Sequence, residues 1–188
     1  MSKTYDDKGN LASQTFLDMT GQPVLLKEGY AGYRLEMDDA ANTTKVTYLD
    51  RKGDPVLTSN GYAGWTATFD EEGNKTGVTY YGTEGKPVLT SEGYAGYAIT
   101  FDDRRNTVKT MFYGTDNLPI LTHGGYAGWK SIYDKRGNLT ILEYFGLTGE
   151  PIMNNKGYAG WTASYDDYGI LEKKVYHDLA GNTVKVSE

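Results

Sequence analysis

Five times in this chain a tyrosine and a second ring stand three residues apart, framed by glycine and alanine. The pairs are Tyr30 with Tyr33, Tyr62 with Trp65, Tyr94 with Tyr97, Tyr126 with Trp129, and Tyr158 with Trp161, each inside the string Gly-Tyr-Ala-Gly-aromatic. Flat ring faces bordered by glycine offer platforms for sugar rings, and clustered rings cage quaternary ammonium groups through cation–π attraction. Glycine beside the tyrosine leaves room for close approach of a ligand or of backbone. In three repeats a further ring, Tyr81, Tyr113 or Phe145, directly follows the ring that ends a strand, where it would help wall the same groove. The competing reading makes these rings core, because aromatic side chains dominate packing energetics. The strand-end rings Phe69 and Tyr80, with their equivalents, are assigned to the core; the Tyr and Trp of the motif stay open between core and platform.

Other chemistry finds little support. Catalysis needs residues that occur once and converge, and here nearly every residue type recurs by repetition. His123 and His177 are the only histidines and occupy different repeat positions, so both are read as surface residues. No His-x-x-x-His, phosphate loop or Gly-x-Ser-x-Gly is present, and no enzymatic activity, metal or cofactor is expected. The recurring Asp6, Asp38, Asp70, Asp102, Asp134 and Asp166 raise the question of calcium. A calcium loop needs several oxygen ligands close together, and Asp-x-x-Gly-Asn supplies few. These aspartates are therefore expected to accept backbone N–H bonds within their own turns. The acid pairs Asp102-Asp103 and Glu71-Glu72 read as solvated turn residues.

The elements that must position the rings follow from the period. Gly-Tyr-Ala-Gly begins at Gly29, Gly61, Gly93, Gly125 and Gly157, always 32 residues apart. A fixed period of this size signals stacked repeats that bury their apolar faces on neighbours. Full repeats run 29–60, 61–92, 93–124, 125–156 and 157–188, with 1–28 a partial sixth, in a single repeat domain spanning 1–188. In the repeat from Gly61, Trp65, Ala67 and Phe69 alternate with Thr66, Thr68 and Asp70, which is a strand with one buried face. Asp70-Glu71-Glu72-Gly73-Asn74 fits a type I turn closed by a left-handed glycine. The return strand is Lys75 to Tyr81, with Thr76, Val78 and Tyr80 on one face. A second turn over 82–87 leads to the short apolar piece Val88-Leu89-Thr90. All five prolines fall at its start, where a missing N–H is tolerated. No stretch shows helical periodicity. The fold class expected is all-β: an elongated β-hairpin solenoid of 32-residue repeats, each a hairpin plus a short third strand, with ladders of rings running along it. The last repeat drifts to Ile170, Thr183 and Lys185, as a polar cap or the fading end of an array would.

Composition agrees. Apolar residues are 38% and aromatic residues 13% of the chain, too aromatic for a disordered chain and lean for a thick core. The net charge of −6 works against nucleic acid, whose affinity comes from Lys and Arg on phosphate. Absence of cysteine removes disulfides and thiolate metal sites. No apolar run reaches the length of a membrane span, and no apolar segment follows Met1-Ser2-Lys3-Thr4 as a signal peptide requires. Because the chain enters in mid-repeat, it is expected to be a piece of a larger protein, at a bacterial cell surface or secreted, otherwise cytoplasmic.

The run Tyr80-Tyr81-Gly82-Thr83-Glu84-Gly85-Lys86-Pro87-Val88-Leu89-Thr90, leading to Gly93-Tyr94-Ala95-Gly96-Tyr97, resembles the aromatic-glycine repeats of bacterial choline-binding and glucan-binding cell-wall proteins. Phe112-Tyr113 and Tyr144-Phe145 open equivalent runs, so the resemblance covers the whole chain. It implies a solenoid of hairpins that holds choline or glucan between repeats. The first Trp of the choline pattern is replaced by Thr79, Met111 or Glu143, and 32 residues is closer to a glucan-binding repeat; both points favour a glycan platform over a choline cage. Tyr133-Asp134-Lys135-Arg136-Gly137-Asn138-Leu139-Thr140 resembles, over the hairpin only, the Tyr-Asp shell repeats of large bacterial toxins. Two functions are thus expected to compete. One is a non-catalytic module binding a glycan or cell-wall polymer, choline-bearing or not, with repetition giving avidity. The other is a spacer or protein-interaction scaffold with its rings buried. An open aromatic groove separates the two.

Overall fold

The structure, a computed structural model, describes residues 1–186; positions 187–188, which close the last repeat, lie outside the described residues. The chain divides into two compact units, Met1–Ser91 and a second beginning at Glu92. The first holds β1 (Ser2–Tyr5), β2 (Leu11–Thr15), β3 (Gly32–Met37), β4 (Thr43–Leu49), β5 (Gly64–Phe69) and β6 (Lys75–Tyr81). The second holds β7 (Gly96–Phe101), β8 (Thr107–Tyr113), β9 (Gly128–Tyr133), β10 (Leu139–Phe145), β11 (Gly160–Tyr165), β12 (Leu171–His177) and β13 (Thr183–Val184). Within each unit every strand pairs antiparallel with its neighbours in sequence, and no helix occurs among the described residues. The fold is all-β with a repeating hairpin, as the period demands.

The hairpin turn forms for identifiable reasons. At Asp70, the Asn74 N–H donates to Oδ1 at 2.7 Å and the Asn74 amide to Oδ2 at 2.9 Å. Gly73 takes φ 80° and closes the turn with a bulge, so that Phe69 pairs Lys75. The turn survives where Ile170 replaces the asparagine, because the Ile170 backbone N–H still donates to Asp166 at 2.8 Å. The short third segment is a single bridge at its proline, as at Tyr81 with Pro87. It widens to the two-residue β13 where Thr183 stands in place of proline.

The Gly-Tyr-Ala-Gly string splits into separate physical roles. Gly61 adopts φ 84°, a left-handed turn closed by its N–H on the Thr58 carbonyl at 2.9 Å. Ala63 is buried, and its N–H and C=O bridge to Tyr81 and Tyr48, both at 2.7 Å. Gly64 is required by proximity: a Cβ there would lie 2.3 Å from the Val46 carbonyl oxygen. Successive Gly-rich turns are also tied to each other, Ser59 N–H to Glu28 and Ser91 N–H to Asn60 in the first unit, His123 to Glu92 and Asn155 to Gly124 in the second. Each bond spans 31 residues, and an inserted residue would break it; the strict spacing follows.

Side chains alternate between the two faces of a strand. Trp65, Ala67 and Phe69 therefore share one face with Tyr80 and Val78, while Gly64, Thr66 and Thr68 share the other with Tyr81 and Thr79. The first is the ring face, the second the glycine face. Most of the core lies on the ring face; Leu49 and Phe145 are buried on the other. In the first unit Tyr30, Tyr48, Tyr62 and Tyr80 follow one another at 4.7, 6.1 and 4.6 Å between centroids. In the second, Tyr94, Phe112, Tyr126, Tyr144, Tyr158 and Tyr176 follow at 4.5, 6.3, 4.5, 5.8 and 4.7 Å. Among the described residues no large side chain is completely buried.

Candidate functional site

The ring pairs nominated as platforms are already engaged. The motif tyrosines Tyr30, Tyr62, Tyr94, Tyr126 and Tyr158 alternate in the ladder with the strand-end rings. Lys75 Nζ sits 4.7 Å over Trp65, and Lys174 Nζ 3.9 Å over Trp161. Trp129 packs at 5.4 Å from Phe112 and 6.0 Å from Tyr126. Tyr33 lies 6.2 Å from Phe16 and donates its hydroxyl to Gln14 Oε1 at 3.2 Å. Tyr97 is half-buried, and burial raises its phenol above the usual value. Burial likewise raises Tyr30, Tyr48, Tyr126 and, most strongly, Tyr144.

The remaining nominated rings, Tyr81, Tyr113 and Phe145, lie on the glycine face, paired with Gly64, Gly96 and Gly128. They cannot wall a groove with Tyr62 and Trp65, because adjacent residues of one strand point to opposite faces; Tyr80 serves one and Tyr81 the other. The structure therefore divides the nominated site into two surfaces. Phe145 is only 3% exposed, its ring filling the space over Gly128 beneath Lys109 Nζ at 5.4 Å.

Over Gly64 the equivalent space is open. A groove of about 450 Å³ is lined there by Arg34, Lys45, Thr47, Pro55, Gly64, Thr66 and Tyr81, among others. Thr66 donates to the Tyr81 hydroxyl at 3.4 Å. Lys45 Nζ pairs with Glu36 at 2.6 Å, which fixes one cation at the rim. The chemistry offered is a ring beside bare backbone, hydroxyls that donate and accept, and positive charge. Arg34, Lys45, Thr47 and Thr66 were not nominated from the sequence. For Arg34 the signal is departure from the repeat: at its position the other repeats carry Thr66, Ala98, Lys130 and Thr162. In the second unit a smaller groove of about 210 Å³ occupies the corresponding place, lined by Glu143, Pro151 and His177 among others.

The turn aspartates act as caps. Asp38, Asp102, Asp134 and Asp178 are held below the usual carboxylate range chiefly by the amide of the following Asn, and Asp6 and Asp50 by backbone N–H groups.

No protein-family model matches the chain, and no curated protein does. Among solved structures the chain is similar to a structure of the Photorhabdus luminescens Tc holotoxin pore, at 15% identity and TM-score 0.46. The match covers 97% of this chain and spans 9% of that one.

Proposed function

We propose that this chain is a non-catalytic module of a larger bacterial surface or secreted protein, binding a glycan or cell-wall polymer on its glycine face. The observation that carries the reading is the open groove over Gly64, where the Tyr81 ring stands beside bare backbone and the hydroxyls of Thr47 and Thr66. Ring plus convergent polar groups is the composition of a small-molecule site. Arg34 and Lys45 at the rim repel a quaternary ammonium, so a sugar fits better than choline. The ring face supplies the rigid spine. Among the described residues no helix is long and apolar enough to cross a membrane.

A titration of soluble cell-wall and plant-type oligosaccharides against the folded chain and its Tyr81→Leu variant tests this. Leucine already occupies the corresponding position at Leu49, so the fold tolerates it. Loss of about 1–3 kcal/mol of ring stacking weakens binding by roughly five- to 150-fold. No binding by any glycan, or equal binding by the variant, refutes the reading. The second reading, a spacer or interaction scaffold, is favoured by the engaged faces of all three tryptophans and takes over if no glycan binds.

A further inference from the structure

We infer that the groove over Gly64 is an acid-selective subsite occurring once in the chain, taking an oligosaccharide that carries a single carboxylate, with Arg34 as the carboxylate's partner. The inference rests on the glycan reading above and narrows its ligand.

Register places the parts. Ser13 pairs Arg34, Arg34 pairs Thr47, Thr47 pairs Gly64 and Gly64 pairs Tyr81, so one row crosses β2 to β6 on the glycine face. Three strand spacings separate Arg34 from Tyr81, roughly 14 Å at about 4.8 Å each. A sugar stacked at Tyr81 thus lies over Gly64 and Thr47, and a neighbouring residue of the same oligosaccharide reaches Arg34. Arg34 is exposed and has no ion pair among the described residues. The one acid beside it on β3, Glu36, is committed to Lys45. A planar guanidinium without a partner donates to a carboxylate bidentately.

At the place of Arg34 the other full repeats carry Thr66, Ala98, Lys130 and Thr162, so none has an arginine there. Over Gly128 the space is filled by Phe145. Over Gly160, Glu143 replaces Thr47, pairs directly with Lys130 across the ladder, and sets a carboxylate where an acidic sugar would enter; His177 replaces Tyr81. The chain carries net charge −6, which opposes a dense polyanion and leaves an isolated acid the better fit.

Calorimetric titration compares xylotetraose and cellotetraose with the same tetraoses bearing one glucuronic acid. The acidic member of a pair should bind about tenfold tighter, the gap narrowing with salt. Arg34→Thr, which installs the residue found at Thr66 and Thr162, should erase that gap. Thr47→Glu, after Glu143, should reverse the preference. Circular dichroism and melting confirm that both variants fold. Equal binding of acidic and neutral members by the unmodified chain overturns the inference and leaves the glycan reading standing. So does a preference that persists in Arg34→Thr, or tighter binding of polygalacturonate or a glycerol-phosphate polymer than of any singly acidic tetraose. If no member of any pair binds, the inference and the glycan reading fall together.

Discussion

Gly64→Ala should be among the most damaging single-methyl changes in the chain, although the residue sits on an open face. The added Cβ would lie 2.3 Å from the Val46 carbonyl oxygen and 3.2 Å from Thr47 Cα, against an ordinary limit near 3.4 Å. Both neighbours are backbone, so no side chain can swing away, and β4 must recede by about 1 Å. Overpacking of this kind costs about 1–3 kcal/mol. The flanking bonds, Tyr48 N–H to the Ala63 carbonyl and Ala63 N–H to the Tyr81 carbonyl, both 2.7 Å, weaken together at about 1 kcal/mol each. The sum is about 3–5 kcal/mol. Gly73→Ala supplies the contrast, since only Asn42 Oδ1 at 3.8 Å is near and the cost is that of a left-handed alanine, about 1 kcal/mol. Urea unfolding gives the totals, and hydrogen exchange at Thr47 and Thr66 localises the loss, since repeat arrays need not unfold in one step. If Gly64→Ala falls within about 0.5 kcal/mol of Gly73→Ala, backbone proximity is not what fixes glycine in the motif.

Three further outcomes are expected. Arg105 and Ala41 adopt φ 66° and 63° where other repeats carry glycine, so Arg105→Gly should raise stability by about 1 kcal/mol in urea unfolding. Tyr144→Ala removes a half-buried ring flanked at 4.5 and 5.8 Å and should cost about 2–3 kcal/mol, whereas Tyr81→Leu on the other face should cost under about 1 kcal/mol. Stability should be level between about pH 5 and 9 and fall on either side. The turn aspartates have folded values below 3.8, so their contribution is complete above that value and is lost as pH falls through the lowered ones. The raised phenols of Tyr48, Tyr126 and Tyr144 act oppositely: the unfolded chain ionises first, and stability drops as pH climbs past about 10. Melting followed from pH 2 to 11 checks both limbs.

Much of the fold was legible because the period is strict and the strands alternate. The return strand read as Lys75 to Tyr81 is β6 with the same bounds, and the Asp-x-x-Gly-Asn turn closes with the left-handed glycine expected. The nominated site was legible only in part. Its error lay in grouping Tyr81 with Tyr62 and Trp65, when the adjacency of Tyr80 and Tyr81 within one strand already places them on opposite faces. What the sequence could not reveal is whether the ring faces were free. That depends on cross-strand register and on Lys75 and Lys174 folding back over Trp65 and Trp161. The grooves differ through single residues, Phe145 filling the space that Tyr81 leaves open, and repetition hides such differences unless each repeat is compared with its siblings.

The central claim is that a ligand occupies the glycine face while the ring ladder remains structural. Side-chain NMR of the chain labelled with ¹³C in its tyrosine rings, titrated with the tightest-binding oligosaccharide, tests it most directly. The account predicts that Tyr81 shifts and saturates while Tyr48, Tyr62 and Tyr80 stay in place. Saturable shifts confined to Tyr62 and Tyr80, with Tyr81 unmoved, would contradict it and put the binding surface on the ring face.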